Sequence, residues 1–485
     1  MMDVAKHVIY QARMRSDAPA IVTTGGVASY TMLAKSVEAV CDLLPSLVLK
    51  PGDLVALDIK NPFHHVCLML ALALNGITTA SMQSRFSVEK TGIVPAAYLT
   101  DGEKFEAPGS RVFVVDERWF AFEPAVAPDY GRLLALPGFA TPDAVVRVVF
   151  SSGTTGIPKA VALTAGTLVS RIMRAEMGQA GPHSHNFKVI NMMGFSTIAG
   201  ILGPFIALSR GGTIAFASNN NDAIHLIRLF GIEVMAAAVL QLAGILKLLD
   251  GKPPLTSLRT VIAGGSKMPL RLLMEARARL CANVNFGYGS TEAGSMSFGT
   301  GAALERHEGS AGYVLPDVRI EAVDAQDQPV PAGQEGIIRV KTPEQAYYLN
   351  QTQDTQELFK DGWFYPGDVG RIEPDGLLVI TGRTSEIINR GGVIVAPDYI
   401  EEVLRTLPQI ADVAVFGVPG PGGVDEIWAA VVSPGEIDAK ALAEAVRPRL
   451  LDKVPNRFVR VEAIPRNDMG KTQRKALRES LVGGR

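Results

Sequence analysis

The chain has 485 residues, more than one hydrophobic core supports, so two or more domains are expected. Its formal net charge of −2 lacks the basic excess of a nucleic-acid binder, and 47% hydrophobic with 20% charged residues is ordinary for a globular protein. The longest apolar run, Val66 to Leu74, falls far short of the ~20 residues that cross a bilayer.

The first residues show no apolar leader. Cys41, Cys67 and Cys281 stand in no metal-ligand spacing and read as the reduced thiols of a cytoplasmic protein. Residues 3 to 80 alternate helical patterns with short apolar runs such as "DLVALDI", the texture of α/β units. "FHHVCLMLALALNGI" predicts a core helix closed by Gly76; its adjacent His64 and His65 point in different directions and do not make a metal site. "RVFVVD" and "AVVRVVF" are apolar and β-branched, as in strands buried on both faces. Strands are also expected at "KVINMMGF", "GGTIAFA", "EVMAAAV" and "LRTVIAGG", with helices such as "AIHLIRLFG" and "QLAGILKLLD" between them. That alternation predicts mostly parallel, helix-covered sheets.

Four stretches stand out along this frame. In "VVFSSGTTGIPKAVALT", residues 148 to 164, a strand runs into a loop of glycines and hydroxyls: Ser151, Ser152, Gly153, Thr154, Thr155 and Gly156. Glycines permit close approach, clustered backbone N–H groups bind anions, and Lys159 adds a point charge suited to phosphate. The spacing is not that of a Walker A loop. "NFGYGSTEAGS", residues 285 to 295, offers the Tyr288 ring as a face for a base, with Gly289 and Ser290 beside it. Thr291 adds a hydroxyl for a phosphate oxygen and Glu292 a hard carboxylate for Mg²⁺. Just upstream, Gly264 and Gly265 end a strand where a planar ring could lie against backbone.

After about residue 310 the chain reads as short strands joined by Pro/Gly turns. "DGWFYPGDVGRIEPDGLLVITGRTSEIINRGG", residues 361 to 392, places Asp368 in a Pro-Gly-Asp turn and Arg383 after a strand; a carboxylate there suits ribose hydroxyls. A boundary near residue 385 divides the chain into 1–384 and a small α+β unit, 385–485. In "IPRNDMGKTQRKALRE", Lys471 follows Gly470 in a turn before a basic helix. Residues 451 to 485 hold nine Lys/Arg against four Asp/Glu, the balance expected of a unit that closes over phosphates.

Taken together and in this order, "SSGTTGIPKAV", "YGSTEAG", "GWFYPGDVG", "GRTSEIINRGG" and "PRNDMGK" resemble the adenylate-forming superfamily of acyl-CoA synthetases, peptide-synthetase adenylation domains and luciferases, in register from about residue 140 to 478. The resemblance implies a two-step reaction. A carboxylate attacks the α-phosphate of Mg-ATP to give an acyl-adenylate and pyrophosphate; a thiol then takes the acyl group and AMP leaves. By the same resemblance Ser151, Ser152, Thr154, Thr155 and Lys159 grip the β- and γ-phosphates, and Tyr288, Gly289, Ser290 and Thr291 hold adenine and the α-phosphate. Glu292, with Thr155, would bind Mg²⁺, Asp368 and Arg383 would hold the ribose, and Lys471 would bridge the reacting anions. The C-terminal unit would swing about Ser385. The acyl group would lie near Asn191 to Gly200, Gly264 to Ser266 and Asn285 to Gly287, which draws in Ser196, Thr197, Gly200, Asn285 and Gly287.

The motif "GFSTIAG" carries Ser196 and Thr197 where the family usually has a histidine or aromatic residue, and the chain between residues 80 and 100 is short for the family. No Asp in the pocket segments suits an α-amino group and no Arg in them suits a second carboxylate, which leaves an aromatic or medium-chain aliphatic acid. CoA is the expected thiol, with a carrier-protein phosphopantetheine as the alternative; a non-catalytic nucleotide-binding relative is the reading from another class. The family also allows a homodimer.

Overall fold

The β-branched runs and their small, apolar neighbours assemble into two large sheets, seen in a computed structural model that describes residues 3–82, 91–151, 159–178, 187–307, 309–343, 345–349, 358–386, 388–389, 394–395, 397–420, 424–466 and 472–482. The smaller sheet has seven strands in the order Tyr347–Tyr348, Lys159–Thr164, Val145–Ser151, Thr78–Ser81, Leu54–Asp58, Ala97–Thr100 and Arg111–Val114. Its five strands from Val145–Ser151 outward are parallel, whereas Lys159–Thr164 turns back antiparallel on Val145–Ser151. The helix Pro62–Leu74 starts under an Asn61 cap with proline in its first turn. It is buried on nearly every face, which explains a sequence without a polar stripe. Gly76 ends it at φ +69°, and a Cβ there would lie 2.6 Å from the Gly138 carbonyl oxygen, so only glycine fits.

The larger sheet has 15 strands. Pro19–Thr23, Thr213–Ala215, Lys188–Asn191, Val234–Ala238, Thr260–Gly264 and Asn283–Ser290 form its parallel part. From Asn283–Ser290 onward the pairing is antiparallel, through Gly294–Gly299, Ser310–Val314, Leu377–Arg383, Asp368–Ile372 and Gly336–Lys341. Antiparallel structure thus starts about 25 residues before the change of texture in the sequence. The cause is local: Ser290 pairs with Gly294 across a tight hairpin, and Gly294, at φ +73°, supplies the left-handed turn residue.

The C-terminal segment forms a three-stranded sheet, Asp412–Pro419, Asp425–Val432 and Arg457–Arg460, with the helices Pro397–Arg405, Ala439–Leu450 and Arg474–Val482. Ile400, Leu404, Val415, Ile427 and Leu442 fill one side of it; Phe416, Trp428, Ile464 and Leu477 fill the other. Half-buried Arg474 ties this unit to the preceding turn by pairing with Glu386, Asp398 and Glu401, the last at 2.8 Å. An ion pair between Lys267 and Glu402 joins the unit to the large sheet's loops. Among the described residues no helix is long and apolar enough to cross a membrane.

Candidate active site

The parallel strands of the large sheet present their carboxyl ends to one place. Register pairing puts Asn191, Ala236, Ile262 and Asn285 in one row on a single face, and Ala238 beside Gly264 in the next. A Cβ on Gly264 would sit 3.9 Å from the Gly287 carbonyl oxygen, so these alanines and glycines leave a shallow floor at the strand ends. Open α/β sheets bind ligands in that position. Asn285, at 5% exposure, has both amide atoms buried without a hydrogen-bond partner. Buried polar atoms of this kind are rare in native proteins and call for an occupant or a cost in stability. Asn191, in contrast, is satisfied: it donates to the Ala199 carbonyl at 3.0 Å and accepts from the Met193 N–H at 3.0 Å.

The turn from Gly194 to Gly200 borders this floor. Thr197 caps the helix Ile198–Ser209, accepting from the Gly200 N–H at 3.0 Å while its hydroxyl donates to the Gly194 carbonyl at 2.9 Å. A Cβ on Gly200 would fall 1.9 Å from the Gly194 oxygen, so this glycine is demanded by the turn itself. Ser196 is partly exposed on the same turn.

The hairpin after Asn283–Ser290 carries Thr291 and Glu292. Ser290 Oγ accepts from the Ala293 N–H at 3.0 Å and closes the turn. A Cβ on Gly289 would lie 2.6 Å from the Gly294 oxygen, so the two chains touch there. Arg171, on the helix Ala165–Gly178, donates to the Thr291 carbonyl at 2.7 Å and the Glu292 carbonyl at 2.6 Å. Glu292 is 7% exposed and accepts a 2.7 Å hydrogen bond from the Tyr348 hydroxyl. The Lys159 ammonium lies 5.1 Å from the centre of the Tyr348 ring. Lys159 is also the register partner of Ser151, so it stands where the chain re-enters the sheet after residue 158. Tyr348 therefore links Lys159 to the hairpin that carries Glu292.

Asp368 is 3% exposed and faces Arg383 across the antiparallel pair, with Arg383 Nε 2.7 Å from its carboxylate. The Tyr288 hydroxyl donates to the same carboxylate. Burial, reinforced by that carboxylate, pushes the Tyr288 phenol well above its ordinary pKa, so it stays a donor. The hydrogen bond brings the sequence's second and third stretches together.

Ser152, Gly153, Thr154, Thr155, Gly156 and Lys471 lie outside the described residues. So does the side chain of Ser151. Ser385 falls in the short turn Thr384–Glu386, and Gly265 follows its strand at φ +83°. Among the described residues no three His, Cys, Asp or Glu side chains cluster as a metal cage. Mg²⁺ held by one carboxylate and substrate phosphates needs no such cage, and the Glu292 carboxylate, anchored through one oxygen by Tyr348, has the hard-donor chemistry for it.

The sequence gives no signal for Tyr348, which lies 56 residues from its partner Glu292. Arg171 does leave one. With Arg174 it sits among Leu168, Ile172 and Ala175 on the buried side of its helix, a place where arginine is costly without acceptors.

These features define an α/β protein that gathers polar and glycine-rich segments at the carboxyl ends of its parallel strands. The AMP-binding enzyme model matches residues 9–347, and the AMP-binding enzyme C-terminal domain model matches residues 399–471. The chain belongs to this family, the adenylate-forming ligases. It is 27% identical over 504 residues to a fatty acid–[acyl-carrier-protein] ligase, ScoC, of Streptomyces coeruleorubidus, covering 98% of this chain and 95% of that one. It is 27% identical over 501 residues to a 2-succinylbenzoate–CoA ligase of Bacillus licheniformis, covering 98% and 100%. The o-succinylbenzoate coenzyme A synthetase of Bacillus subtilis, solved with ATP and magnesium ion, shares the fold with a TM-score of 0.84 at 24% identity, over 98% of this chain and 99% of that one.

Proposed function

We propose that this chain adenylates a carboxylic acid with Mg-ATP, releases pyrophosphate, and passes the acyl group to the thiol of CoA. The observation that carries this reading is the pair of clusters, Asp368 with Arg383 and Tyr288, and Glu292 with Tyr348 and Lys159, both anchored on the strand and hairpin that carry Tyr288 and Glu292. In this reading Asp368 and Arg383 hold the ribose, the Tyr288 ring faces adenine, and Thr291 orients the α-phosphate. Lys159 and the loop 151–156 grip the outer phosphates, while Glu292 holds Mg²⁺, which neutralises charge on the phosphates when bound. The acid lies over Gly264, Gly287 and Asn285, walled by Ser196 and Thr197. First-step catalysis is then mainly positioning and charge neutralisation.

The unit 385–485 turns about Ser385 and brings Lys471 to the carboxylate and α-phosphate, as a mobile cation suited to two converging anions. The unpaired cysteines accord with a cytoplasmic setting. The test is ATP–pyrophosphate exchange over a panel of short, medium-chain, branched, aromatic and dicarboxylic acids, each repeated with CoA. Exchange with one acid class and AMP release rising with CoA supports the reading; no exchange with any acid would sink it. The likeness to a fatty acid–[acyl-carrier-protein] ligase supports a second acceptor, a carrier-protein phosphopantetheine, which exchange without CoA turnover would favour.

A further inference from the structure

Beneath the Gly194–Gly200 turn lies a buried polar network outside the residues assigned above. Arg147, in the middle of the strand Val145–Ser151, is 2% exposed and pairs with no carboxylate among the described residues. Its guanidinium donates to Thr79 Oγ1 at 2.7 Å, to Ser81 Oγ, and to the Phe195 carbonyl at 3.4 Å. His65 reaches Ser81 from the helix Pro62–Leu74, with Nε2 2.5 Å from Ser81 Oγ and Nδ1 3.1 Å from the Ile59 carbonyl.

The hydrogen positions follow from the acceptors. A carbonyl only accepts, so His65 Nδ1 carries the hydrogen; in the neutral ring Nε2 then accepts from the Ser81 hydroxyl, and the Ser81 oxygen accepts from Arg147. Every link has one direction. The His65 ring also stacks on Phe195 with centroids 4.1 Å apart and planes 6° apart, and Phe195 meets Phe216 with centroids 5.2 Å apart. Phe195 is thus held by its carbonyl and by its ring, from one strand of the small sheet and the helix Pro62–Leu74. Ser196 and Thr197 follow it directly.

We propose that Arg147 is a positioning residue for acid binding, acting through Ser81, His65 and Phe195 to fix the turn that presents Ser196 and Thr197. The proposal rests on the ligase reading above. A buried arginine without a counter-ion is expensive, so its retention in an otherwise apolar strand needs a return in geometry, and the only described structure it fixes besides the small sheet itself is this turn. The nucleotide side of the site is held by different groups, Arg171 and Tyr348. Loss of Arg147 should therefore separate the two substrates.

The test is Arg147→Met, which keeps the bulk; a cavity of about 40 Å³ lined by Arg147, Thr79, Met69, Leu168 and Phe205 gives the new side chain room. In acid-dependent ATP–pyrophosphate exchange, KM for the acid should rise at least tenfold while KM for ATP stays within twofold. Amide hydrogen exchange should speed up at residues 194–200 and not in Asn283–Ser290. Should Arg147→Met not fold, Ser81→Ala cuts the relay at its centre and should show the same split at smaller size, and guanidinium ion should restore acid KM in Arg147→Ala. An unchanged acid KM, or a parallel loss on both substrates with faster exchange throughout, overturns the proposal. Absence of exchange in the unaltered protein overturns the ligase reading itself and the proposal with it, whereas normal exchange in both proteins overturns the proposal alone.

Discussion

Replacing Asp368 with Asn separates the ribose role from a purely structural one. The amide keeps the shape and still accepts from Tyr288, but it removes the charge opposite Arg383. Breaking a fully buried ion pair costs about 3–5 kcal/mol. The Arg383 side chain is 32% exposed, so water takes up part of its orphaned charge and the stability loss should be nearer about 2 kcal/mol. A charge-assisted hydrogen bond to a ribose hydroxyl is worth about 1.5–3 kcal/mol, so KM for ATP should rise about 10- to 150-fold. KM for the acid should hardly move, because the Asn285 amide makes no hydrogen bond to this pair. Exchange assays varying ATP at saturating acid give the first number, and thermal unfolding with and without ATP gives the second. A variant that loses stability yet keeps the ATP KM within twofold would show that Asp368 braces the hairpin and does not hold the nucleotide.

Lys471→Ala should lower adenylate formation by several orders of magnitude while ATP binding, measured by calorimetry, persists; a protein that merely binds nucleotide would show no activity to lose. Asn285→Leu removes two unpartnered buried polar atoms and should raise stability by about 1–3 kcal/mol, at the expense of acid selectivity in the exchange panel. A drop in melting temperature would mean that the amide is satisfied in the folded protein. His65 gives a pH signature: burial, and then the Arg147 charge, push it down to about 3 from an ordinary 6.5. Between those values the unfolded chain binds a proton that the folded one refuses. Its contribution to stability is therefore complete above pH 6.5 and is lost as pH falls toward 3, by up to about 5 kcal/mol. Denaturant unfolding between pH 5 and 7 should show this slope in the unaltered protein and a flatter one in His65→Gln.

The parallel strands and the core helix were legible in the sequence because burial on both faces leaves uninterrupted apolar runs, as at Pro62–Leu74 and Val234–Ala238. The Asp368–Arg383 pair and the hairpin carrying Glu292 were legible because their residues sit in short, glycine-punctuated stretches. What failed to show was anything built between distant segments. Tyr348 meets Glu292, and Arg171 meets the Thr291 carbonyl, only because strand order and helix packing bring them together. Arg147 was hidden in a different way. Its strand is a β-branched run that reads as buried on both faces, and nothing within the run itself says what a buried arginine would bond to. Its neighbours Thr79 and Ser81 on the adjacent strand turn the position into a polar site, and pairing register is not written in either strand alone.

The division of labour between the two sheets follows from these contacts. Asp368, Arg383, Tyr288 and Glu292, the groups proposed to hold the nucleotide, all lie on the large sheet or its hairpin, whereas Lys159 belongs to the small one. Tyr348, on a two-residue strand of the small sheet, is where they join. The Phe195 turn is joined to the small sheet in the same way, through Arg147 and His65. Each half of the candidate site is thus made on one sheet and fixed by a side chain from the other. A shift of one sheet relative to the other would disturb both substrates at once, while a change at a single joint should disturb only one. That asymmetry separates a substitution at Arg147 from a general loss of packing.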